Sequence, residues 1–191
     1  MPITFNGSGT VTGVAVGGLP DGIVDTDMIA NNAVTAAKAS GLGISMVDQW
    51  SITSDNNKTN GQTIDTGWER SDYNFAGIGT GMSESSGIFT FPSTGIYLLM
   101  SQHAMNTSAG YAGVQMRISS DSGSSYNTIS YGQITNTNNG YHALSLHGIA
   151  DIQNVSTYRM KLEAYNNANV QYSGDSNALR NGVTFIRLGD T

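Results

Sequence analysis

The side chains able to do chemistry are few and widely spaced. His103, His142 and His147 are the imidazoles of the chain, and cysteine is absent. His142 and His147 stand five residues apart, so on one strand they face opposite sides of the sheet. A zinc site needs three or four converging ligands. The histidines therefore read as polar groups satisfied inside the fold or at an interface, with His103 free to meet either of the others across strands. Asp121, Ser122 and Ser124, taken with Asp65 and Asp72, form an oxygen-rich set of the kind calcium uses. The same Asp-Ser-Gly run is ordinary turn chemistry, and no EF-hand spacing accompanies it. No cofactor is expected, with calcium as the alternative. Gly77-Ile-Gly-Thr-Gly-Met82 lacks the Gly-Lys-Ser/Thr ending of a phosphate loop and no helical pattern follows it, so it reads as a strand edge or turn. There is no Gly-x-Ser-x-Gly elbow, no nucleophile paired with a base and no carboxylate cluster. An enzyme is not expected.

What remains is surface chemistry. Tyr111, Tyr126, Tyr131, Tyr141, Tyr165 and Tyr172 fall at strand ends or beside polar turns. Tyrosine adds rigid contact area at low entropic cost. Tyr126, Tyr131 and Tyr141, with Asn138, flank the loops 121–127 and 135–141 and are the candidate recognition residues. The other tyrosines read as strand-edge packing.

The elements that must position these groups are almost all strands. The 191 residues carry 12% charged side chains and a net charge of −6, while Gly, Ser, Thr and Asn make up roughly two residues in five. Low charge with ample β-branched and aromatic content is the reverse of a disordered composition. Eight scattered Lys and Arg make no phosphate-neutralising patch, so nucleic acid is excluded as a partner. No stretch has the length of a membrane span. The N-terminus has neither the basic region nor the apolar run of a secretory signal. With no cysteine, synthesis in a reducing cytoplasm is expected, with oligomerisation supplying stability.

Residues 46–191 read as about ten short strands separated by turns, a mainly β, antiparallel sandwich or jelly roll. Val114, Met116 and Ile118 alternate with polar neighbours, as do Tyr158, Met160, Leu162 and Ala164. Strands are expected over 47–53, 64–70, 88–91, 96–105, 112–118, 128–135, 141–152, 157–164 and 183–188, with a polar loop over 54–62. Residues 1–24 form an extended arm too poor in apolar groups for its own core. Its Ile3, Phe5, Val11, Val14, Val16 and Leu19 must lie on another surface. Residues 25–45 hold a short helix and linker, with Ile29, Ala33, Ala36 and Ala37 on one small-residue face suited to close approach around a three-fold axis. A helix this short is marginal alone in water.

Two resemblances follow from particular residues. Gly87-Ile-Phe-Thr-Phe-Pro-Ser-Thr-Gly-Ile-Tyr97 resembles the signature hairpin of C1q/TNF-like jelly rolls, with Trp68 before it and Val183-Thr-Phe-Ile-Arg-Leu188 similar to the family's last strand, although the glycine usual in that strand is missing. This resemblance covers 46–191 and implies a homotrimeric recognition or structural module. The stretches Asp48-Gln-Trp50, Gly67-Trp-Glu-Arg70, Gly77–Met82 and Ser86–Gly95 resemble tail-fibre-like structural proteins of marine bacteriophages, and 18–38 resembles phage fibre leaders. They imply a virion-surface protein, anchored through 1–24 to another virion protein. The head is then either a structural fibre or capsid decoration, or a receptor-binding tip that reads a host glycan or protein.

Overall fold

The computed structural model describes residues 43–191 apart from 71, 73, 74, 108, 109 and 137–139. The arm residues Ile3, Phe5, Val11, Val14, Val16 and Leu19, the helix residues Ile29, Ala33, Ala36 and Ala37, and Asn138 lie outside the described residues.

Twelve strands run through the described part: β1 (Met46–Ile52), β2 (Asn56–Lys58), β3 (Trp68–Arg70), β4 (Ser83–Ser85), β5 (Ile88–Thr90), β6 (Gly95–Thr107), β7 (Gly110–Ser119), β8 (Asn127–Asn136), β9 (Gly140–Ile152), β10 (Arg159–Ala164), β11 (Val170–Tyr172) and β12 (Gly182–Gly189). All pairings are antiparallel. One sheet runs β3-β1-β12-β6-β9, with β11 beside the far half of β6 and β2 beyond it. The other runs β4-β5-β10-β7-β8. The expected antiparallel sandwich is the observed architecture.

The period-two reading places the core correctly. Ala112, Val114, Met116 and Ile118 on β7 and Met160, Leu162 and Ala164 on β10 are buried between the sheets. An aromatic chain runs through the middle. The Phe89 ring lies 5.8 Å from Trp50, 5.1 Å from Trp68 and 5.2 Å from Phe185, and Phe91 lies 4.9 Å from Tyr97. Such pairs, three edge-on and the Phe89–Phe185 pair tilted, add about 0.5–1.5 kcal/mol each beyond their buried area.

The Gly87–Tyr97 run is not a hairpin. β5 belongs to one sheet and β6 to the other, so Pro92–Gly95 is a corner that carries the chain across the sandwich. Phe89, Phe91 and Tyr97 all turn inward there, and the Tyr97 hydroxyl donates back to the Ser93 carbonyl at 2.9 Å. Gly95 closes the corner at φ +141°, where an added Cβ would sit 2.4 Å from the Gly189 carbonyl oxygen. The real hairpin lies just before. β4 and β5 join through Ser86 (φ 53°) and Gly87 (φ 77°), the two left-handed residues of a type I′ turn.

Other expectations shift at their edges. Of residues 64–70, only Trp68–Arg70 is strand, and β2 arises inside the expected polar loop. β4 and β11 also appear where periodicity gave no strand.

Candidate functional site

The chemical candidates resolve into structural roles. His103 on β6 is fully buried. Its Nδ1 lies 3.1 Å from Asn181 Oδ1 and its Nε2 lies 2.9 Å from Ser101 Oγ. Asn181 donates its amide hydrogens to the carbonyls of Ala104 and Ser173, so its Oδ1 is left as acceptor. His103 is therefore protonated at Nδ1 and accepts from Ser101 at Nε2. Burial lowers its pKa to about 4, against a smaller opposing effect of the Asn181 bond. Serine, histidine and amide stand in relay order, yet all three are buried and the hydroxyl is spent on the ring. His142 points inward on β9 and His147 outward, as their spacing requires, and the direct cross-strand partner of His103 is Leu144.

The oxygen-rich set disperses. Asp65 takes Lys58 Nζ at 2.5 Å. Asp121 closes its own turn, accepting the Ser125 hydroxyl at 2.6 Å, the Ser125 amide at 2.9 Å and the Ser119 hydroxyl at 2.7 Å. The Ser125 bonds, then Ser119, hold its pKa down to about 2. Among the described residues no group of three His, Cys, Asp or Glu is placed to hold a metal.

One node escaped sequence reasoning. Asp48 is buried on β1, where its carboxylate accepts from Trp50 Nε1 at 2.8 Å, Arg70 Nε at 2.9 Å, Arg70 Nη2 at 3.0 Å and the Met82 amide at 2.7 Å. Arg70 also donates to the Met82 carbonyl and lies 4.5 Å over the Trp50 ring. A Cβ at Gly81 would strike Asp48 Oδ2 at 2.4 Å. Three of the four stretches behind the phage-protein resemblance thus converge on one buried carboxylate. Their residue types answer to folding, not to a ligand.

The outward faces of the two sheets differ. On the β1–β9 sheet, Val47 pairs with Ile186, Ile186 with Leu98 and Leu98 with Ile149, so one register row carries an aliphatic side chain on four adjacent strands. Ile149 is 65% exposed. Beside the row, Met100, His147, Leu179 and Thr184 line a depression of about 370 Å³. The sign available in the sequence was β6 itself, whose Ile96, Leu98 and Met100 are apolar between the equally apolar, inward Tyr97 and Leu99.

The outward face of the opposite sheet is polar and carries Tyr111, Tyr126, Tyr131 and Tyr165, whereas Tyr141 on β9 and Tyr172 on β11 belong to the first sheet. Tyr126 sits under Lys161, whose Nζ is 4.5 Å from the ring, and burial raises its phenol pKa. Tyr141 is exposed at the start of β9, with the Arg180 guanidinium 5.5 Å away. Tyr131 lies within β8 opposite Gln115 and does not flank a loop. Its ring meets Tyr165 at 5.8 Å, and Tyr165 meets Tyr111 at 5.4 Å. Tyr172 is internal, donating to the Gly113 carbonyl at 2.7 Å, and burial raises its pKa.

No family model matches the chain, and no curated protein matches it in sequence. Solved structures do. A crystal structure of murine APRIL superimposes with a TM-score of 0.58 at 15% identity, covering 75% of this chain and 98% of its own. Eiger TNF from S. frugiperda gives a TM-score of 0.58 at 12% identity, covering 76% of this chain and 94% of its own. What the chain shares with both is the fold, and its described residues form a TNF-like jelly roll.

Proposed function

We propose that the chain is a homotrimeric structural protein of a bacteriophage virion, a fibre or capsid-decoration protein. Its N-terminal arm joins another virion protein and its jelly-roll head projects from the particle. It is made in the host cytoplasm and works on the virion surface, without catalysis. The observation that carries the reading is the aliphatic row Val47–Ile186–Leu98–Ile149. A chain otherwise rich in Ser, Thr, Asn and Gly carries aliphatic side chains across four adjacent strands of one outward face, with Ile149 exposed and the other three half-buried, and contiguous apolar surface of this kind marks an interaction site. A closed ring of identical copies covers such a face without a second gene product. The resemblance of residues 18–38 to phage fibre leaders supports the virion assignment, and the sequence spacing of Ile29, Ala33, Ala36 and Ala37 suits a three-fold stem.

The test combines mass and location. Light scattering of the full chain is expected to give three times the 20.1 kDa protomer mass, and a chain lacking residues 1–40 is expected to remain soluble but to be missing from purified particles. A monomeric full chain removes the trimer. A truncated head present on particles at normal occupancy removes the anchoring arm.

The tyrosine cluster on the opposite face favours a second reading, a receptor-binding fibre tip that attaches to a host-surface glycan or protein.

A further inference from the structure

We infer that the corner formed by Tyr111, Tyr131 and Tyr165 over Gly113 is a carbohydrate site that takes a neutral hexopyranose; the inference rests on the second reading, a head that reads the host surface. Tyr131 and Tyr165 stand on β8 and just after β10, with β7 between them. Neighbouring strands lie about 4.8 Å apart, so the two backbones are separated by roughly twice that. Their rings nonetheless meet at 5.8 Å and 77°, in an edge-to-face corner. Gly113 is what lets them meet. The Tyr165 amide bonds the Gly113 carbonyl at 3.0 Å on one side, and Gln133 pairs with Gly113 on the other. A Cβ at Gly113 would lie 2.2 Å from the Gly132 carbonyl oxygen, so the position is bare. The sheet has a floor of backbone there, with tyrosine walls and a glutamine at the rim.

The chemistry of that corner matches a sugar ring. One face of a hexopyranose is a patch of C–H groups, which packs on the electron-rich face of an aromatic ring. Its edge is a ring of hydroxyls, each both donor and acceptor. The Tyr131 hydroxyl has no protein partner among the described residues, and the ring is 63% exposed. A phenol donates and accepts, and the amide of exposed Gln133 does both as well. The tyrosines are held in place by one another, so little rotamer entropy is lost on binding.

Neutrality follows from the neighbours. Arg117 and Lys161 both pair with Glu163, at 2.6 Å each, and Lys161 also covers Tyr126. Glu163 shares a register row with Gln115 and Tyr131 and so stands between the two cations and the corner, where its carboxylate repels a sugar acid or sulfate. A second copy of the chain is the natural cover for the aliphatic row, which lies on the other sheet, so trimerisation there leaves this corner open.

The test uses the intact full-length protein on an array of neutral and charged glycans, followed by calorimetric titration with methyl glycosides of glucose, galactose and mannose. At least one neutral hexopyranose series should bind. Tyr131→Ala should weaken that binding about tenfold, Tyr131→Phe by less than about threefold, and Gln153→Ala, an exposed change away from the corner, should leave it unchanged. Gln133→Ala supplies a second variant that removes a hydrogen-bonding rim without touching the rings, and it too should weaken binding. Binding that survives both Tyr131→Ala and Gln133→Ala, or that is confined to charged glycans, overturns the site. Undiminished attachment to periodate-treated host cells overturns the sugar while leaving host recognition standing. No attachment to host cells at all overturns the second reading itself.

Discussion

At the residue scale, Asp48 concentrates more bonding than any catalytic candidate. Removing its carboxylate strands the Trp50 indole and the Met82 amide, while Arg70 keeps the Met82 carbonyl and a side chain 44% exposed to water. Leaving a buried donor unpaired typically costs about 1–3 kcal/mol, and two are stranded here. Asp48→Ala is therefore expected to lose at least that much in urea unfolding, and a loss below about 1 kcal/mol contradicts the account. His103 sets a pH dependence. Its unfolded pKa is 6.5 and its folded pKa about 4, so the unfolded chain takes up the proton first. The contribution is complete above pH 6.5, declines between 6.5 and 4, and falls no further below. The span amounts to about 3 kcal/mol at 1.36 kcal/mol per unit. The difference in stability between the wild type and His103→Gln, measured across pH 4–7, should show that slope, separated from titrating carboxylates common to both.

At the element scale, strong alternation was enough to read β7 and β10 and most of β6. It failed for β2, β4 and β11, each three residues long and held by neighbours rather than by a pattern of its own. The Pro92–Gly95 corner shows a subtler limit. Aromatic residues on both sides of a turn suit a hairpin and a sheet-to-sheet crossing equally, because both bury the same faces. Which one forms depends on partners far along the chain. The sites were less legible still. Asp48 meets partners 22 and 34 residues away, and the tyrosine corner exists only because Gly113, Tyr131 and Tyr165 fall into register across three strands. At the crossing itself, Gly95→Ala places a Cβ against the Gly189 carbonyl in a left-handed backbone. A loss of about 1–3 kcal/mol is expected. Gly189→Ala, which meets nothing within 4 Å, should stay within about 0.5 kcal/mol. Thermal unfolding of the pair distinguishes a strained corner from a general intolerance of alanine.

At the scale of the whole molecule, the two sheet faces divide the work. On the proposed reading the aliphatic row supplies self-association, and the tyrosine face stays turned to the surroundings. Folding linked to assembly makes the unfolding midpoint depend on protein concentration. The wild-type midpoint is expected to rise with concentration, and Ile149→Arg, which places a charge on the most exposed member of the row, should abolish the rise and give a monomer by light scattering. A midpoint independent of concentration in the wild type would remove the row as an interface.

The order β1-β12-β6 also governs how the head comes into being. β12 lies between two strands made long before it, with Met46 opposite Arg187 and Met100 opposite Thr184. Until residues 182–189 emerge from the ribosome, β1 and β6 have bare edges facing one another across an unfilled slot. Pairings this distant in sequence close slowly, and open strand edges invite pairing with other chains. The sheet is thus completed only once β12 has emerged, and a nascent chain stalled before Gly182 presents two adhesive edges where the finished one has a continuous sheet.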